Sequence, residues 1–338
     1  MSPYWLHQPI RIPAEPAPNS HRAARSFGPP GALGTLGEIA RRMAVMQDTG
    51  TPVADPAWAT VFVADHGVTR AGIAGHTEQD TLEWVRNCLR GESASAVMAR
   101  HLGIPYEVVD VGMRETPEDL PGLISQRAGN GTQDFRHAPA MSEMQLHTAL
   151  NAGREAVERA QRAGTRTFIA GEIATGKSTS AGALACALLG MPPETVAGPG
   201  SGIPPEMISV KAAIIQGAVD HHQKFIANPL DLLRRLGGFE IVAMCGAYVS
   251  CGQFGITVIV DGLCSTVAAL FAVTLHPALK HWLFVGHRAA EPGQYPILRN
   301  LDMRPILNLD MRLGEGSGAL AALPILRMAC ALSGAPAR

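Results

Sequence analysis

A repeated order constrains this chain more than any other feature: short Val- and Ile-rich runs, each followed by a longer stretch with helical spacing. The runs are Thr60–Ala64, Tyr106–Val111, Arg166–Ala170, Ile256–Val260, Trp282–Val285 and, less marked, Pro305–Leu309. The helical patterns between and around them are Leu33–Gln47, Glu143–Arg162, Ser180–Leu189, Val210–Phe225 and Gly238–Cys251. Runs that stay apolar instead of alternating mark strands buried on both faces, and therefore a parallel sheet. This order predicts an α/β chain built on a doubly wound, Rossmann-like parallel sheet. Such sheets bind ligands outside the carboxyl ends of their strands. Asp65-His66-Gly67, Gly171-Glu172, Asp261-Gly262 and Gly286-His287-Arg288 each directly follow a run.

With 338 residues, 46% of them hydrophobic, the chain can bury a large core. Its formal net charge is −1, and it has neither basic runs nor many aromatic residues. The electrostatic footprint of a nucleic-acid binder is absent, so the expected partner is a small molecule. Six cysteines are scattered without a CxxC pair, which reads as reduced core thiols in a cytoplasmic protein. No metal-ligand spacing stands out, and His221-His222 reads as a polar helix face. The longest apolar stretch, Ile256–Leu275, is interrupted by Asp261-Gly262, so it reads as a strand entering a buried helix and not as a membrane span. Residues 1–27 carry three arginines, several prolines and a single acid, and read as an extended N-terminal arm.

Two glycine-rich segments carry the chemistry. Arg312-Leu-Gly-Glu-Gly-Ser-Gly318 sets Glu315 among glycines ahead of an apolar helix over 319–329. A carboxylate held at such a junction suits a general base. Gly171-Glu-Ile-Ala-Thr-Gly-Lys-Ser178 satisfies G-x-x-x-x-G-K-[ST] between a strand and a helix, and Asp261 ends an apolar strand that suits a magnesium-binding Asp. A P-loop kinase or ATPase is thus one reading. Against it, half the chain precedes the loop, and Glu172, Ile173 and Ala174 stand where small residues usually wrap a phosphate. Free amides at Gly176, with Lys177, Ser178 and Thr179, suit a phosphate in either case. The Gly198-Pro-Gly200-Ser-Gly202 loop and Lys211 add a second set of groups for the same anion.

Six ordered blocks resemble one family, the nicotinate-nucleotide-dimethylbenzimidazole phosphoribosyltransferases of cobalamin lower-ligand assembly. They are Gly28–Ala40, Val63–Val68, Gly131-Thr132 with Pro139–Met141, Leu232–Met244, Gly286–Gly293 and Arg312–Ala319, covering roughly residues 28 to 330. The resemblance implies a homodimer. It also implies a large α/β domain over about 58–300 and a small, mostly helical domain from both chain ends (about 28–57 and 301–338), together forming one unit over 28–338. The reaction it implies moves phosphoribose from nicotinate mononucleotide to a benzimidazole-type base and needs neither metal nor cofactor.

In that resemblance Glu315 matches the catalytic base, and Glu172, Gly176, Gly202 and Lys211 match positions lining the nucleotide's phosphate and ribose. The segment Ala74–Thr81 matches the base pocket, to which Leu313 is also assigned. Where the family tends to have Ser-x-x-Pro-Gln-Glu-Val-Thr, this chain has Ala-Gly-His-Thr-Glu-Gln-Asp-Thr. His76, Glu78 and Asp80 are therefore expected to make that pocket more polar and to shift the preferred acceptor. In the phosphate loop, Ala174 and Lys177 replace a glycine and an asparagine of the family pattern.

Overall fold

A computed structural model describes residues 2–15, 31–115, 120–200 and 202–334. The chain runs through α1 (Gly34–Gln47), β1 (Ala57–Ala64), α2 (Glu78–Leu89), α3 (Ala94–Leu102), β2 (Tyr106–Gly112), β3 (Leu123–Ser125) and α4 (Glu143–Arg162). It continues with β4 (Thr167–Ile173), α5 (Lys177–Leu189), α6 (Met207–His222), α7 (Pro229–Leu236), α8 (Phe239–Phe254), β5 (Thr257–Val260) and α9 (Leu263–Leu275). Last come β6 (Leu283–Arg288), α10 (Gln294–Asn300), β7 (Pro305–Asn308) and α11 (Ser317–Gly334).

The seven strands form one sheet in the order β3-β2-β1-β4-β5-β6-β7, with every pair parallel. The doubly wound α/β architecture expected from the apolar runs is the one observed. All six runs are strands, and β4 and β5 are buried along their whole length. A parallel strand exposes neither face because helices cover both. Here α8, with α4 outside it, crosses β1, β2 and β4, while α11 packs against β4, β5 and β6. The strand β3 escaped sequence reading because it is three residues long. Helices α2, α3, α7 and α10 escaped it too, being short and largely polar on one side.

The two chain ends meet: α1 packs on α11, and their apolar residues join the same core as the sheet. β7 lies beyond the expected end of the large part near residue 300, yet it hydrogen-bonds to β6. The described part of the N-terminal arm, residues 2–15, holds a 3-10 turn over Tyr4–His7 and is tied to the amino-terminal side of the sheet. Leu6 and Ile10 are buried, Trp5 Nε1 donates to Asn151, and Trp282 Nε1 donates to the Arg11 carbonyl. Residues 16–27 of the arm lie outside the described residues.

One expectation is corrected here. His222 is buried and its Nε2 lies 2.7 Å from the Phe135 carbonyl, so the His221-His222 pair is not simply a polar face. All six cysteines are buried and unlinked. No helix among the described residues is long and apolar enough to cross a membrane.

Candidate active site

The carboxyl ends of β4, β5 and β6 open into a cavity of about 550 Å³. The segment after β7 returns across these strand ends and delivers Glu315 to the wall. Gly314, Glu315 and Gly316 all have left-handed backbones, with φ of +87°, +61° and +76°. Two of them are glycines, which adopt this conformation freely. Glu315 is not, and a non-glycine residue there carries about 1–3 kcal/mol of strain.

Three contacts hold the turn. The Glu315 amide donates to the Glu172 carbonyl at 3.2 Å. A Cβ on Gly171 would stand 2.2 Å from the Glu315 carbonyl carbon, so this close approach needs glycine in β4. Asp261 Oδ1, at the end of β5, accepts the amides of Gly318 and Ala319 and thereby caps the first turn of α11. Asp261 thus has a structural use at the helix start that the P-loop reading does not anticipate.

Glu315 is 9% exposed, and Ser95 donates to its Oε2 at 2.7 Å. Ser95 Oγ also lies 2.8 Å from the Tyr106 hydroxyl. Because the Ser95 proton is committed to Glu315, Tyr106 must be the donor in that second bond. Burial pushes the Tyr106 hydroxyl well above its ordinary pKa, which keeps it protonated for this role. The relay leaves Oε1 of Glu315 for a ligand.

Glu172, at the end of β4, is buried, with Oε1 3.1 Å from Lys177 Nζ. Lys177 also donates to the Glu172 carbonyl at 3.2 Å. Burial moves the Glu172 carboxyl upward; Lys177 pulls it back, while Asp261 and Glu240 push it further up. The lysine of the G-x-x-x-x-G-K-[ST] pattern is therefore spent on the acid within its own loop, and this is a second point against a nucleoside-triphosphate site. Glu172 Oε2 has no hydrogen-bond partner among the described residues.

Of the residues expected to hold phosphate and ribose, Gly176, Lys177, Ser178 and Gly200 line the cavity, whereas Thr179 and Lys211 are buried off its wall and Gly202 is exposed and does not line it. Lys211 is 2% exposed, and its Nζ donates to Ser178 Oγ and to the Gly198 carbonyl, both at 2.9 Å. Its ammonium stiffens the anion end of the cavity from below, and burial lowers its pKa.

Of the expected base-pocket residues, His76 and Leu313 line the cavity. Glu78 and Asp80 do not. Glu78 is paired with Arg114 at 2.5 Å. Asp80 forms a capping box with Thr77 at the start of α2, accepting the Thr77 amide at 2.6 Å and hydroxyl at 2.8 Å. The pattern S/T-x-x-D before a helix favours this local use of the acid. The expected gain in pocket polarity therefore reduces to His76, whose ring meets Trp84 edge-on at 4.9 Å.

Ser95, Tyr106, Trp84 and Glu291 were not identified as site residues from sequence. Ser95 and Trp84 sit in α2–α3, where nothing in the spacing marks them. Glu291, ahead of Pro292-Gly293 after β6, had the better signal, an acid at a strand-to-helix turn.

Comparison with known proteins identifies the family of the chain. A family model described as Phosphoribosyltransferase matches residues 15–337. A nicotinate-nucleotide-dimethylbenzimidazole phosphoribosyltransferase of Pseudomonas aeruginosa is 45% identical over 313 residues, spanning 93% of this chain and 89% of that protein. One from Pseudomonas fluorescens is 45% identical over 332 residues, spanning 98% and 95%. The crystal structure of CobT from Thermus thermophilus superposes with a TM-score of 0.87 at 37% identity, covering 91% of this chain and 92% of that one.

Proposed function

This chain belongs to the nicotinate-nucleotide-dimethylbenzimidazole phosphoribosyltransferase family, and from that premise we propose that its cavity moves phosphoribose from nicotinate mononucleotide onto a benzimidazole-type base, releasing nicotinate. The step belongs to cobalamin nucleotide-loop assembly. The C1′–N bond to the pyridinium breaks, and its electron pair leaves on the now neutral ring nitrogen. The azole nitrogen attacks C1′ from the opposite face, so the product is the α-riboside 5′-phosphate. The second azole nitrogen then carries a surplus proton, and Glu315 Oε1 takes it. Proton transfer by a positioned group contributes about 10²–10⁴-fold.

In this reading Glu172 faces the positive charge that develops on the ribose, with Lys177 holding it in place. Gly176, Ser178 and Gly200 receive the phosphate, stiffened by Lys211 from behind, with Thr179 and Gly202 shaping the two loops. His76, Trp84 and Leu313 flank the base. In the same reading, the part formed by 28–57 and 301–338 brings Glu315 over the cavity of the part spanning 58–300. We place the protein in the cytoplasm, where buried and unlinked cysteines are at home, and expect it to act as a homodimer.

The observation that carries the proposal is a carboxylate fixed by Ser95 in a strained turn beside a second buried carboxylate. Its test is chromatographic. Purified protein with nicotinate mononucleotide should release nicotinate only when dimethylbenzimidazole is present, in equal amount to the riboside phosphate formed. Release without the base, or none with it, contradicts the proposal.

A further inference from the structure

Matching donors to acceptors singles out one carboxylate of the cavity. Glu172, Glu291 and Glu315 all line it. Ser95 serves Glu315 and Lys177 serves Glu172. Glu291, in the turn between β6 and α10, is 9% exposed, and its buried Oε2 has no hydrogen-bond partner among the described residues. That oxygen leans over Gly198: a Cβ there would come within 2.5 Å of it, so the approach requires glycine. The Gly198 carbonyl in turn accepts from Lys211, which also holds Ser178. Glu291 therefore stands where the anion-binding loops gather, although it is itself an acid. Buried carboxylate oxygens are costly to leave unpaired.

An ionised carboxylate can only accept. Nicotinate mononucleotide offers it few donors. Its pyridinium nitrogen and ionised carboxylate carry no proton to donate, and its phosphate is chiefly an acceptor. The 2′ and 3′ hydroxyls remain. The incoming base brings one N–H, which goes to Glu315. We infer that Glu291 accepts a hydrogen bond from a ribose hydroxyl of the nucleotide and makes the site discriminate ribose from its deoxy analogue. The inference rests on the proposed nucleotide substrate. Glu172 Oε2 is the other unpaired acceptor, so two oxygens await two hydroxyls. The competing role for Glu291 is a counter-charge to Lys211, whose ammonium feels its field. A counter-charge would affect every nucleotide alike.

The test compares nicotinate mononucleotide with its 2′-deoxy and 3′-deoxy analogues on wild type, Glu291→Ala and Glu291→Gln. Nicotinate release and calorimetric nucleotide affinity are both read, and melting curves show that each variant is folded. Wild type should lose about 10–100-fold when the engaged hydroxyl is removed, the range for a bond to a charged acceptor. Glu291→Ala should lose a similar factor on the intact nucleotide and nothing further on that analogue, with Glu291→Gln in between. Undiminished discrimination against both analogues in Glu291→Ala would overturn the inference. If wild type binds the nucleotide without releasing nicotinate, the proposed function fails while the affinity measurements still decide the role of Glu291. If wild type does not bind it at all, both fall.

Discussion

At the residue scale the site turns on Glu315. A left-handed glutamate between two left-handed glycines is conformationally expensive, and the protein keeps it there through Gly171, Glu172 and Asp261. Glu315→Gly should therefore abolish nicotinate release while leaving Tm unchanged or slightly higher, because the strain disappears with the side chain. A clear fall in Tm would mean that Glu315 is structural. Ser95→Ala removes the donor that aims the carboxylate, and kcat should fall about tenfold with little change in the KM for nucleotide. The first of these residues was legible in sequence, since glycines on both sides of an acid announce a constrained turn. The second was not: a serine in an alanine-rich helix looks the same whether or not a distant loop brings a carboxylate to it.

At the scale of elements, the contact between β4 and the 314–316 turn sets the geometry of the reaction. Gly171→Ala puts a methyl group into the Glu315 backbone. Neither strand nor turn can yield without moving the carboxylate, and displacement of about 1 Å costs roughly 10²-fold in rate. A Gly171→Ala enzyme with wild-type kcat would show that the turn is more compliant than described. Helix α2 gives the complementary case, because two acids predicted to face the base are absorbed by local structure, Asp80 in a cap and Glu78 in an ion pair. Asp80→Ala should lower Tm and leave the acceptor KM unchanged, whereas His76→Ala should raise the acceptor KM several-fold with nucleotide KM unaffected. Steady-state kinetics with either substrate varied separates the two. The family resemblance placed these residues near the pocket, but only the helix register decides which way they face.

At the scale of the molecule, the buried parallel sheet was the most legible feature, because strands covered on both faces write themselves as unbroken Val and Ile runs. Less legible was how the ends of the chain are used. The described N-terminal arm sets Leu6 and Ile10 into the core on the side of the sheet away from the cavity. Burying two such side chains contributes about 3–6 kcal/mol. Deleting residues 1–15 should thus lower Tm by several degrees and leave kcat near wild type at temperatures where the variant is folded; an unchanged Tm would contradict the packing of the arm. A homodimer predicts a light-scattering mass twice that of one chain.

The most direct test of the account is the saturated rate of Glu315→Gln. Glutamine keeps the size of the side chain and its bond from Ser95 but cannot accept the azole proton. The account predicts a kcat lower by about 10²–10⁴-fold, with Tm and nucleotide affinity close to wild type. A kcat within a few-fold of wild type would contradict it, and the proton would have to leave by another route.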